Sequence, residues 1–124
     1  MGHGDEIVIA DAHFPAESLG PPVIRMDGVG IDLILEGIMP LLVLDQYDEH
    51  PVAMMEVVPG DSADESVATG YLRIINRYEG RECGVTRIER FAFYARAKSA
   101  FAIVVSGDTR KYANVLLKKG VTPA

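Results

Sequence analysis

Arg90-Phe91-Ala92-Phe93-Tyr94-Ala95-Arg96-Ala97-Lys98-Ser99-Ala100-Phe101-Ala102-Ile103-Val104-Val105 decides the fold. Its first part, Arg90 to Ala97, reads as a helix, and its last, Phe101 to Val105, as a strand. The strand is continuously apolar instead of alternating, as expected of a central strand covered on both faces. Ser106-Gly107-Asp108 then supplies a turn, and Asn114 to Leu117 makes a last strand. Before the helix, Val85 to Ile88 reads as another short strand.

Working towards the N-terminus, the same alternation continues. Val67, Tyr71, Ile74, Ile75 and Tyr78 share one helical face, with capping and turn chemistry at Asp61 to Glu65 and Gly80 closing the helix. Val52 to Val58 is a strand candidate with Met54-Met55 as core filling. Ile31, Ile34, Leu35 and Ile38 fall at i, i+3, i+4 and i+7, an amphipathic stripe that Pro40 ends. Gly20-Pro21-Pro22 is a turn followed by extended Val23-Ile24-Arg25, and Glu6 to Ala10 is the first strand. Strands alternating with helices predict one α/β domain over residues 1–124, three-layered, with a mixed, largely parallel sheet flanked by helices.

Composition narrows the function. A net charge of −6 argues against nucleic acid and anionic membrane surfaces as partners. No apolar run approaches the roughly 20 residues of a membrane span, and no secretory signal opens the chain. One cysteine, Cys83, permits no internal disulfide and fits a reducing cytoplasm. Polar groups cluster at two places: Gly2-His3-Gly4-Asp5-Glu6 with Asp11-Ala12-His13-Phe14-Pro15, and Arg110-Lys111-Tyr112-Ala113-Asn114. They sit at the rims of apolar strands, where a rigid scaffold aims side chains at a ligand. Imidazole, carboxylate, phenol and amide groups suit a small, neutral, hydroxyl-rich substrate. They do not form a phosphate cradle or a dinucleotide site.

Each candidate also has a structural reading. His3 can give and take protons near neutral pH, or be a solvated terminal residue. Asp11 accepts ligand hydroxyls, orients His3, or caps a turn. Arg90 is a cationic fork over ligand oxygens, or the partner of Glu89 in a surface ion pair. Tyr112 offers a face and a hydroxyl, and Asn114 a donor and an acceptor, or both are edge and turn residues. His13 raises the question of a metal, which lacks a second ligand pair at regular spacing. Arg25 is a weaker binding candidate or an interface residue, and His50 reads as solvated.

The segments GHGDEIVIADAHFPAESLGP, RIERFAFYARAKSAFAIVVSG and KYANVLLKKGVTP resemble the fucose mutarotase family, sister to the ribose pyranase family in the RbsD/FucU superfamily. The His-Phe-Pro after the first strand and the Arg-Phe-Ala-Phe-Tyr helix start favour the fucose branch. The resemblance implies a cytoplasmic isomerase interconverting the α and β anomers of free L-fucose, without metal or organic cofactor. It also implies a homo-oligomeric ring, typically a decamer, with sites near subunit contacts. It assigns proton donation to His3 and sugar binding to Asp11, Arg90 and the run Tyr112-Ala113-Asn114. Tyr112 is a second candidate for proton transfer. Family members carry a helical stretch ahead of the Gly-His, which either precedes this sequence or is lacking in this protein. The alternatives are pyranose–furanose interconversion of D-ribose, or non-catalytic monosaccharide binding.

Overall fold

Six short strands build one sheet, and alternate residues along each strand face opposite layers. The computed structural model describes residues 1–122, so Pro123, which ends the closing motif, and Ala124 lie outside the described residues. The strands are β1 (Glu6–Ala10), β2 (Val23–Arg25), β3 (Val52–Met55), β4 (Thr86–Ile88), β5 (Ala102–Val105) and β6 (Val115–Lys118). The helices are α1 (Ala16–Leu19), α2 (Ile31–Ile38), α3 (Glu65–Glu79) and α4 (Arg90–Lys98), with a 3-10 turn at Met39–Leu41. Strand order is β2-β5-β1-β6-β3-β4. The pairs β1·β5, β2·β5 and β3·β4 are parallel, and only β6 runs against its neighbours β1 and β3. Five strands therefore point the same way.

The pleat divides the core in two. Ile9, Val52, Met54, Val104, Val115 and Leu117 pack with Ile31, Leu35, Val67, Tyr71 and Ile75 from α2 and α3. Val8, Ala10, Ala53, Met55, Ile103 and Leu116 pack with Ala16, Phe93 and Ala97 from α1 and α4. Strand β5 is buried throughout, as its unbroken apolar run requires. This is the three-layer α/β domain expected. Among the described residues, no helix is long and apolar enough to cross a membrane.

Several boundaries differ from expectation. The strand expected over Val52–Val58 stops at Met55, because its register with β4 ends at Ile88. One further bond, Glu56 N–H to the Ile88 carbonyl at 2.7 Å, is made before the chain leaves the sheet. Phe101 precedes β5 and is half exposed, and β6 begins at Val115 instead of Asn114. On α3, Tyr78 leaves the buried face and donates its hydroxyl to Glu36 Oε2 on α2 at 2.9 Å. The four-residue α1 was not expected; a single turn opened by Pro15 carries no periodicity to read.

Two backbone details constrain the loops beside the sheet's carboxyl edge. Gly107 lies where a Cβ would come within 2.7 Å of the Gly28 backbone, so no side chain fits. Tyr112 holds a left-handed φ of 55°, unusual for a residue other than glycine and a sign of enforced geometry.

Candidate active site

The carboxyl ends of β1, β3 and β4 and the amino end of β6 meet at one edge of the sheet, where ligands of parallel α/β sheets gather. A cavity of about 270 Å³ opens there, lined by Asp11, Arg90, Tyr112 and Asn114 on its polar side. Phe14, Met55, Val58 and Tyr94 form its apolar side. Sites for drug-sized ligands run to about 300–1,000 Å³, so this one suits a smaller molecule.

Each polar group has a local cause. Asp11 leaves β1 and is buried, 8% exposed. Its Oδ1 accepts the His13 N–H at 2.9 Å, a turn that an aspartate makes readily. Its own N–H donates to Asn114 Oδ1 at 2.7 Å across the antiparallel β1·β6 pair. Burial pushes the Asp11 carboxyl above its ordinary range, against the lowering effect of the His13 N–H. Arg90 opens α4, whose N-terminus is capped by the Glu89 carboxylate accepting from Ala92 N–H at 3.0 Å. Glu89 is thereby occupied, and among the described residues Arg90 makes no ion pair. Its guanidinium lies 4.8 Å from the Phe91 ring centre. Tyr94 follows one helical turn later, at i+4 from Arg90 and on the same rim.

Beside the cavity, a part-buried network fixes the loop that carries Tyr112. Asp108 Oδ1 accepts Arg110 Nε at 2.9 Å, and its Oδ2 accepts the same guanidinium at 2.6 Å. Burial alone would push the Asp108 carboxyl up; this fork holds it below the usual carboxylate range. The Arg110 guanidinium lies 5.7 Å from the ring centre of Tyr71. Tyr71, fully buried, donates its hydroxyl to the Ala113 carbonyl at 2.9 Å. Ser106 Oγ, which accepts Asp108 N–H at 3.1 Å, donates to the Ala10 carbonyl at 2.7 Å.

The cavity brings together four of the six residues assigned through the resemblance, Asp11, Arg90, Tyr112 and Asn114, and His13 also lines it. Ala113 is fully buried in the α2/α3 core, so its side chain is not part of the rim. His3 is elsewhere. It precedes β1 while Asp11 follows it, and five strand residues at about 3.3 Å each hold them roughly 15 Å or more apart. Within one chain, the strand between them puts the two at opposite edges of the sheet. His3 sits in a turn made by Gly2 N–H to Asp5 Oδ2 at 2.7 Å and by Gly4 at φ 86°. Its Nε2 lies 3.2 Å from Asp45 Oδ1, and its ring 5.5 Å from Tyr47. The Asp45 carboxyl is held down first by the Tyr47 N–H and then, against burial, by His3. Ionised, it can only accept, so His3 Nε2 carries the proton of that bond.

Lys111, part of the polar cluster read from sequence, also lines the cavity, whereas sequence reading missed Asp61 and Tyr94. The i+4 spacing from Arg90 was a signal for Tyr94. For Asp61 there was none, because its partners lie some fifty residues away.

Residues 1–122 match the RbsD / FucU transport protein family. The chain is 55% identical over 123 residues to the L-fucose mutarotase of Actinobacillus pleuropneumoniae serotype 5b (strain L20), covering 99% of this chain and 85% of that one. Its structure is similar to FucU from Bifidobacterium longum, with TM-score 0.93, 44% identity and coverage of 99% of this chain and 89% of that one. It is also similar to the fucose mutarotase of Streptococcus pneumoniae solved in complex with L-fucose, with TM-score 0.92, 42% identity and coverage of 99% and 87%. With a family match along almost its whole length and a relative more than half identical, the chain belongs to the RbsD/FucU family.

Proposed function

We propose that this chain is an L-fucose mutarotase, an isomerase that exchanges the α and β anomers of the free sugar. The observation that carries the reading is the two-sided cavity at the carboxyl edge of the sheet. A 6-deoxy sugar presents hydroxyls on most of its rim and one methyl group. Asp11, Arg90 and Asn114 match the hydroxyls, while Phe14, Met55, Val58 and Tyr94 match the methyl. The neighbouring S. pneumoniae structure holding L-fucose supports the same ligand.

Anomer exchange needs a base for the C1 hydroxyl proton and an acid for the ring oxygen. The open-chain aldehyde then turns and the ring closes on its other face. A positioned acid/base contributes about 10²–10⁴-fold, enough for a reaction that water already performs slowly. His3, held through Nε2 by Asp45, has the chemistry for this transfer. It lies at the opposite rim from its own chain's cavity, so it acts in the cavity of a neighbouring copy. Exposed aromatics at both rims support that docking: Tyr47, 81% exposed, stands beside His3, and Phe91, 65% exposed, beside Arg90. Head-to-tail contacts of this kind close into rings when the rotation between copies closes. The lone thiol of Cys83 is in keeping with a cytoplasmic setting.

Saturation-transfer NMR on L-fucose tests the reading, with D-ribose measured alongside. Accelerated exchange of the fucose anomers is expected; an unchanged fucose rate overturns the reading, and acceleration with D-ribose alone points to pyranose–furanose interconversion instead.

A further inference from the structure

Tyr112 carries one hydroxyl proton, and the fold has already committed it. The phenol oxygen accepts the Val58 N–H at 3.2 Å and donates to Asp61 Oδ2 at 2.8 Å. Asp61 cannot reverse the direction of that bond. Its Oδ1 accepts Lys111 Nζ at 3.0 Å and the Ser62 N–H at 2.8 Å. Lys111 first, then the Ser62 N–H and the Tyr112 hydroxyl, lower the Asp61 carboxyl to about 2. At neutral pH it is a carboxylate, an acceptor only. Both residues line the cavity.

Resting on the mutarotase reading, we propose that Asp61 is the positioning residue of Tyr112: by holding the phenol's proton, it makes Tyr112 meet the sugar as a hydrogen-bond acceptor. What the phenol oxygen has left for a ligand is a lone pair. Tyr112 therefore receives a sugar hydroxyl and polarises its O–H bond, and does not protonate the ring oxygen. Asp61 is not the base either. A carboxyl this acidic is a poor resting place for a proton taken from a sugar hydroxyl.

The arrangement also latches two segments. Residues 56–64, which link β3 to α3, meet the 110–114 loop through Asp61 with Lys111 and Tyr112, and through Val58 with Tyr112. The left-handed backbone of Tyr112, held by the Ala113 carbonyl bond to Tyr71, keeps the phenol in reach of both partners. Asp61 thus acts on the sugar through the tyrosine.

A double-mutant comparison separates this role from a merely structural one. Anomer exchange of L-fucose is measured by NMR for the wild type, Asp61→Ala, Tyr112→Phe and the double variant. Asp61→Ala should lower exchange at saturating sugar about tenfold, the scale of a hydrogen bond to a charged group. In the Tyr112→Phe background the same change should cost less than about twofold, because the bond it removes is already gone. If Asp61→Ala does not fold, Asp61→Asn carries the same comparison with a loss of about threefold, since its amide oxygen still accepts. Equal losses in both backgrounds, or no loss in either, overturn the proposal while leaving the mutarotase reading intact. A wild type that does not accelerate exchange overturns both.

Discussion

Asn114 and Asp11, over a hundred positions apart in the chain, share one hydrogen bond: the Asp11 N–H donates to Asn114 Oδ1 at 2.7 Å, with both residues buried. The backbone of Asp11, the carboxylate proposed to meet the sugar, is therefore held by the same amide that lines the cavity. Asn114→Ala leaves the Asp11 N–H without a partner, which costs about 1–3 kcal/mol. Urea unfolding should show that loss, and the KM for L-fucose should rise. An unchanged unfolding midpoint would contradict the coupling.

Asp11 should carry a stability cost for its function. Burial places its folded-state pKa above the unfolded one, so the folded protein bears a penalty whenever the group is ionised. That penalty disappears as the pH falls below the folded value. Asp11→Asn keeps the acceptor for the His13 N–H and removes the charge, so its Tm at pH 7 should rise. Exchange activity should drop at least about tenfold, the cost of losing a charge-assisted hydrogen bond. Calorimetry down the pH scale should see the Tm advantage shrink towards about pH 4, near the unfolded carboxyl pKa. A variant less stable than wild type at pH 7 would show that the hydrogen bonds of Asp11 outweigh its burial.

His3→Ala and Asp11→Ala proteins should each be nearly inactive, for different reasons. Mixed in equal amounts and allowed to exchange subunits, they should recover about a quarter of wild-type activity, because a head-to-tail contact then unites one intact cavity with one intact imidazole. NMR exchange rates before and after mixing decide it. Recovery absent despite mixed assemblies, seen by native mass spectrometry, would place both groups in one subunit's site.

Gly107→Ala should destabilise the protein by about 1–3 kcal/mol, the usual cost of forcing atoms into a packed place. The added Cβ would meet the Gly28 backbone at 2.7 Å, and backbone cannot swing aside as a side chain can. Urea midpoints measure the effect. A wild-type midpoint would mean that the two loops separate freely.

Much of the fold was legible in short apolar runs. Ile7 to Ala10, Ala102 to Val105 and Val115 to Leu117 have no polar residue, so each had to lie between two layers. Val57 and Val58 misled because β-branched residues favour strands wherever a partner exists, and here the partner strand had ended. The rim residues Asp11 and Asn114 were legible because each abuts such a run. The placement of His3 was legible too, had β1 been measured: a residue before a strand and one after it belong to opposite edges. Asp61 was not. Its role as an acceptor for Lys111 and Tyr112 depends on how two distant loops close, and local sequence gave only turn chemistry.

A five-residue ruler thus keeps the proposed proton carrier out of its own chain's sugar cleft. If the proposed sharing between copies holds, no single copy is self-sufficient, and specific activity should decline on dilution as assemblies come apart. Abundance then sets the turnover of each molecule as well as the number of molecules at work.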